Sequence, residues 1–206
     1  MTVARRRLGV FGGAFDPPHL AHVALVQVAI DQLALDALWV IPTGHAWHKT
    51  RTLSLAEHRV NMARLAFAVN PKVVIDERET RRDGPSYTID TLRDLKAEHP
   101  LADLFLIIGE DQARSLPSWH QWQEVMQNAI ICVAGRVNTT EARDGLSYEF
   151  APPPAVSSRF LRLTTPFNPV SATAIRAQVA NAEPISALVG EPVARYIAQH
   201  HLYIQN

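Results

Sequence analysis

Short apolar runs alternate with amphipathic stretches along most of the chain. Residues 8–11 form a first apolar run, and residues 20–33 follow with Leu20, Val23, Val26, Ile30 and Leu33 roughly on one helical face. Residues 37–41 read as a second strand, stopped by Pro42, and a loop spans 43–53. Ser54-Leu55-Ala56-Glu57 has the spacing of a capping box and predicts a helix to about Val69. Residues 73–76 make a third strand, and Gly84-Pro85-Ser86 a turn whose Ser86 caps a helix from Tyr87 to about Glu98. Residues 104–108 are almost purely apolar, as a strand covered on both faces should be. A short helix at 122–127 and a fifth strand at 129–133 come next. The stretch 136–168 is weakly periodic and contains Pro152-Pro153-Pro154, so it is expected to be a partly irregular insertion with one strand at 160–163. Ser171 then caps a helix to about Ala180, and Glu191-Pro192 opens a last helix to about His200.

Strands alternating with helices imply an α/β fold: a Rossmann-like, doubly wound, mostly parallel sheet with helices on both faces and a small C-terminal helical part. Such sheets bind ligands beyond the carboxyl ends of their strands. The loops richest in unusual residues, 12–22, 42–49 and 109–122, all fall at that edge.

Composition narrows the picture further. A chain of 206 residues that is 47% hydrophobic can build one domain with a full core. Lys plus Arg, 20 in all, balances 20 Asp plus Glu, which argues against a dedicated nucleic-acid binder. Arg5-Arg6-Arg7 reads as a solvated cap on the first strand. Cys132 stands alone in an apolar run and reads as a small core residue. No apolar run reaches membrane-spanning length and no signal-peptide stretch is visible, so no membrane partner and a cytoplasmic location are expected. His200, His201 and the following Leu202-Tyr203-Ile204 are expected to pack the last helix against the sheet, with His58 and His99 on helix surfaces. No Cys/His set has metal-ligand spacing, and a homo-oligomer is compatible with the sequence without being specified by it.

The candidate chemistry starts at Gly12-Gly13-Ala14-Phe15-Asp16-Pro17-Pro18-His19-Leu20-Ala21-His22. Glycines at a strand end let backbone N–H groups approach an anion, and the following helix N-terminus adds partial positive charge. His19 and His22, three apart, add side-chain donors on one face of the first turn. A plain reading is a helix-entry turn with an exposed histidine pair. The whole pattern, however, resembles the nucleotidyltransferase superfamily signature G-G-x-F-D-P-x-H-x-G-H, with Ala21 in place of a glycine. Ser171-Ala172-Thr173-Ala174-Ile175-Arg176, alone a capped helix with an exposed arginine, is similar to that superfamily's second element, S-x-T-x-x-R. Pro42-Thr43-Gly44-His45-Ala46-Trp47-His48-Lys49 resembles its loop ending in His-Lys. Ser86-Tyr87-Thr88, Ile108-Gly109-Glu110-Asp111 and Leu116-Pro117-Ser118-Trp119 resemble the nicotinate-nucleotide branch, in that order.

The resemblance implies one nucleotidyltransferase domain over 1–206, its helical C-terminal segment starting near 171. It implies adenylyl transfer from ATP, with Mg²⁺ delivered on the ATP, to nicotinate mononucleotide, giving deamido-NAD and pyrophosphate. Gly12, Gly13, Ala14, Phe15, His19, His22, Ser171, Thr173 and Arg176 would bind ATP, and His19, His22, Lys49 and Arg176 would act on its phosphates. His48, Lys49, Tyr87, Thr88, Gly109, Asp111 and Trp119 would hold the nicotinate nucleotide: Trp119 stacks on the ring, Tyr87 and Thr88 meet the carboxylate, and Asp111 binds ribose hydroxyls. No protein metal ligand is implied. Nicotinamide mononucleotide or phosphopantetheine as acceptor, and a nucleotide sensor without turnover, are the alternatives.

Overall fold

The computed structural model describes residues 5–44, 52–136, 152, 154–165 and 170–204. Six strands form one sheet: β1 (Arg7–Gly13), β2 (Ala37–Pro42), β3 (Val73–Ile75), β4 (Asp103–Gly109), β5 (Ala129–Arg136) and β6 (Phe160–Thr165). Their order is β3-β2-β1-β4-β5-β6 and each neighbouring pair is parallel. The order reverses between β1 and β4, which is where such a sheet opens a crevice at its carboxyl edge.

The period of two along each strand sorts side chains onto two faces. Leu8 and Val10, Trp39 and Ile41, Leu104 and Leu106, and Ile131 and Val133 point into one apolar cluster with Ile89, Leu92 and Leu95 of α3 (Thr88–Glu98). Phe11, Leu38, Val40, Phe105, Ile107 and Cys132 point the other way. There they meet Val26, Ala29 and Ile30 of α1 (Leu20–Gln32) and Ala63 and Phe67 of α2 (Ala56–Phe67). Cys132 is fully buried in this layer, and burial pushes its thiol up to about 12, as a core residue requires.

Three short helices follow α4 (Glu110–Ser115) and α5 (Trp122–Asn128): α6 (Ala172–Ala180), α7 (Ser186–Val189) and α8 (Glu191–Gln199). Ile175, Ile185, Val189, Val193 and Ile197 bury themselves with Met62 of α2. The chain after α8 packs there too, not on the sheet: Leu202 and Tyr203 join this cluster, whereas His201 and Ile204 are exposed. His58 is half-buried, its Nδ1 3.0 Å from Tyr196 Oη, and His200 packs on the same tyrosine. His99 ends α3 with its ring against Trp39.

Several expectations need correction. The strand expected at 160–163 is present as β6, paired along β5, but it runs on to Thr165. β6 is an edge strand with one fully buried side chain, Leu163, so its apolar signal is weak. Gln32 completes it from α1: its Nε2 donates to Thr164 O at 3.0 Å and its Oε1 accepts from Thr164 N at 3.1 Å. Two of the three expected serine caps are not formed. Helix α2 starts after Leu55 and α3 after Tyr87, neither with a side-chain cap. Ser54 instead donates its N–H to Asp16 Oδ2, and Ser86 Oγ is buried without a partner. Arg7 is not a solvated cation, since its Nε donates to Leu33 O and its guanidinium lies over Phe105. Ser171 does cap α6, accepting from Ala174 N at 3.2 Å.

Candidate active site

The first strand delivers Gly12, Gly13 and Ala14 to the carboxyl edge, and the chain then turns through a cis Asp16–Pro17 bond into α1. Gly13 has to be glycine, because a Cβ there would sit 2.9 Å from the Phe15 ring. That ring is buried edge-on against Phe11 and His22, so Phe15 is a packing residue whose only route to a nucleotide is its backbone. Gly12 is different: a Cβ there would meet nothing within 4 Å, so it borders open space.

His19 is the N-cap residue of α1 and His22 lies one turn on. The His19 N–H donates to His22 Nδ1 at 3.2 Å, which places the His22 proton on Nε2. The two rings stack, centroids 3.7 Å apart. His19 is only 7% exposed, and its Nδ1 is buried without a partner. This histidine pair stands at the amino end of a 13-residue helix, where the unpaired N–H groups favour an anion.

Burial pushes the His19 imidazole down to about 4, from an ordinary 6.5, so it is neutral at pH 7. The unfolded chain therefore binds a proton that the folded chain refuses between those values. The resulting stability is fully present above pH 6.5 and is lost as pH falls towards 4. Urea midpoints should accordingly fall more steeply over that interval in the wild type than in His19→Asn. Parallel pH curves would refute the assignment.

Arg176 ties α6 to this turn. Its Nη1 donates to Asp16 O at 2.8 Å and its Nη2 to Thr173 Oγ1 at 3.1 Å. Arg176, with Thr173 bonded to it, thus joins α6 to the turn that leads into His19. The Asp16 carboxylate faces inward, accepting from Tyr203 Oη at 2.6 Å and from Ser54 N at 3.2 Å. It is engaged by protein donors rather than set out for a metal. No group of three or more His, Cys, Asp or Glu able to hold a metal occurs among the described residues.

A cleft of about 470 Å³ opens between the ends of β1 and β4. Gly12, Gly13 and Ala14 line one side, and Tyr87, Thr88 and Trp119 line another. Trp119 ends the 3₁₀ turn Leu116–Ser118, its N–H bonded to Leu116 O, and packs half-buried against the core. Trp122 packs on the same core but does not line the cleft. Asp111 is at the rim, its side chain 95% exposed and paired with Arg114 at 2.6 Å. Gly109 ends β4 with open space where a Cβ would be. His48 and Lys49 lie outside the described residues.

Residues 10–178 match the cytidylyltransferase-like family. The chain belongs to that family. Two curated relatives, each named "Probable nicotinate-nucleotide adenylyltransferase", are similar over nearly their whole length. The one from Albidiferax ferrireducens is 60% identical over 198 residues, covering 96% of this chain and 98% of the relative. The one from Methylibium petroleiphilum is 44% identical over 206 residues, covering 97% and 93%. A solved nicotinic acid mononucleotide adenylyltransferase from Plasmodium falciparum, complexed with APC, superposes with a TM-score of 0.73 over 97% of this chain and 98% of that one. At 17% identity that likeness establishes the fold.

This cytidylyltransferase-like cleft also holds residues that motif reading passed over. Glu79, Thr91 and His120 line it. Glu79 is buried and accepts from Thr91 Oγ1 at 2.8 Å, and burial pushes its carboxyl above the usual range, with the Thr91 bond opposing. His120 lies against Tyr87, ring centroids 4.4 Å apart. The only sequence signal for Glu79 is an acid in the loop after a strand, at the ligand edge. Ala21 sits inside α1 with helical backbone, so the missing glycine is not needed for conformation.

Proposed function

We propose that the chain transfers the adenylyl group of ATP to nicotinate mononucleotide, releasing pyrophosphate and giving deamido-NAD. The observation that carries this reading is a single cleft bordered both by the Gly12–Gly13–Ala14 turn and by Tyr87, Thr88 and Trp119. A reaction that joins two nucleotides needs two subsites meeting at one phosphorus, and in this reading these two sets of cleft residues supply them. The names of the 60% and 44% identical relatives support the same chemistry.

In this reading a phosphate oxygen of the mononucleotide attacks the α-phosphorus of ATP. The new O–P bond forms as the bond to the β-phosphate oxygen breaks in line, and pyrophosphate leaves. The nucleophile is already an anion, so no general base is required. The chain's contribution is positioning and charge stabilisation. His22 Nε2–H and the His19 ring meet the phosphates at the α1 N-terminus, and Arg176 adds a charged fork. Lys49 belongs to the same set in this reading. Mg²⁺ enters as part of the MgATP substrate, held by phosphate oxygens and water. In this reading Trp119 stacks on the pyridine ring, and Tyr87 and Thr88 meet its carboxylate. The enzyme would act in the cytoplasm as one domain that includes the C-terminal helices.

Pyrophosphate release from ATP and Mg²⁺, measured with each acceptor in turn, tests the reading. Release with nicotinate mononucleotide should exceed that with nicotinamide mononucleotide and phosphopantetheine. Release with another acceptor alone reassigns the substrate, and ATP binding without release to any of them identifies a sensor.

A further inference from the structure

Arg59 lies on α2, carries no role assigned above, and is almost wholly buried, at 2% exposure. Among the described residues its donors reach three main-chain carbonyls. Nη1 donates to Ala14 O at 3.0 Å and to Thr43 O at 2.7 Å, and Nε donates to Ser54 O at 3.0 Å. Those carbonyls belong to three separate pieces of the carboxyl edge. Ala14 is in the glycine turn after β1, Thr43 directly follows β2, and Ser54 lies two residues before α2. Ser54 passes the connection on, since its N–H donates to Asp16 Oδ2. Tyr203, after the last helix, closes the set from the other side by donating to Asp16 Oδ1 at 2.6 Å, while Arg176 donates to Asp16 O.

Burying a guanidinium is expensive unless its donors are hydrogen-bonded, and carbonyls from three segments can meet it together only when those segments are in register. A lysine carries the same charge but cannot span three acceptors with a planar fork. We propose that Arg59, with Tyr203 bracing Asp16, is a positioning residue for the ATP side of the site: it fixes the glycine turn against the stem after β2 and the entry to α2. Arg59 is too buried to touch a substrate, so it acts through the backbone at Ala14 and the turn leading to His19. The proposal rests on the reading of that turn as the ATP subsite.

The test uses the full chain and three readouts: thermal melting, MgATP affinity by calorimetry without acceptor, and steady-state kinetics. Arg59→Lys should melt cooperatively, bind MgATP about tenfold more weakly and show a raised KM for ATP. Its KM for nicotinate mononucleotide should stay within about twofold of wild type. Tyr203→Phe, which deletes one oxygen, should shift ATP affinity in the same direction by a smaller factor and serves if Arg59→Lys does not fold. A lowered melting temperature with unchanged ATP affinity in the folded variant would assign Arg59 a purely structural role and overturn the proposal. Wild-type ATP binding without pyrophosphate release would overturn the proposed function alone, leaving the Arg59 comparison decided by calorimetry. No ATP binding by the wild type overturns both.

Discussion

Replacing His22 with alanine is expected to lower kcat by about two to three orders of magnitude, the usual cost of deleting a donor aimed at developing charge. KM for either substrate should move far less, because the donor's contribution grows as charge builds on the α-phosphate. The orientation of His22 makes the prediction specific. Its Nδ1 is held by the His19 N–H at 3.2 Å, and its ring is stacked on His19 and set edge-on to Phe15. The ring is therefore presented in one tautomer and one direction. Its loss removes one acceptor for an N–H at the α1 entry, a stability cost of about 1 kcal/mol. The variant should thus melt within several degrees of wild type, and kcat can be compared between folded proteins. Turnover close to wild type would remove His22 from the chemistry.

The sheet was legible because its strands obey the period of two almost without exception. Leu104 to Ile108 alternate between two buried layers, so the run is apolar throughout. Legibility failed where an element depends on partners distant in sequence. The strand at 160–163 was legible but its extension to Thr165 was not, because β6 has one fully buried side chain and its end is bonded by Gln32 of α1 at Thr164. Ser54 and Glu57 have capping spacing, yet Ser54 is recruited by Asp16 and Arg59, so tertiary bonds displaced the local motif. The site divides in the same way. Glycines, histidines and the α6 cap announce themselves through local spacing. Arg59 does not, because a cation on an amphipathic helix reads as solvated until the carbonyls of Ala14, Thr43 and Ser54 are seen around it. Glu79 likewise becomes meaningful only when α3 brings Thr91 to it.

Trp119→Ala should raise KM for nicotinate mononucleotide by about tenfold to a hundredfold, from the roughly 1–3 kcal/mol that stacking of one base on an aromatic face is worth. KM for ATP should change little, since the proposed reading holds ATP at the glycine turn and not at Trp119. The indole is preorganised: its backbone closes the 3₁₀ turn at Leu116, and its body rests on the apolar layer under the sheet. Trp119→Phe keeps a smaller face and should recover most of the loss. Trp122→Ala supplies the control, because Trp122 packs on the same layer without lining the cleft. That variant should lose stability while keeping the ratio of the two KM values. If Trp119→Ala instead raises both KM values together, local collapse rather than lost stacking is the cause. The same variant separates ring recognition from carboxylate recognition. A stacking face is blind to whether the ring carries an acid or an amide, so the preference for nicotinate over nicotinamide should survive the loss of Trp119. A preference that vanished with the indole would place acid selection on the tryptophan side of the cleft and away from Tyr87 and Thr88.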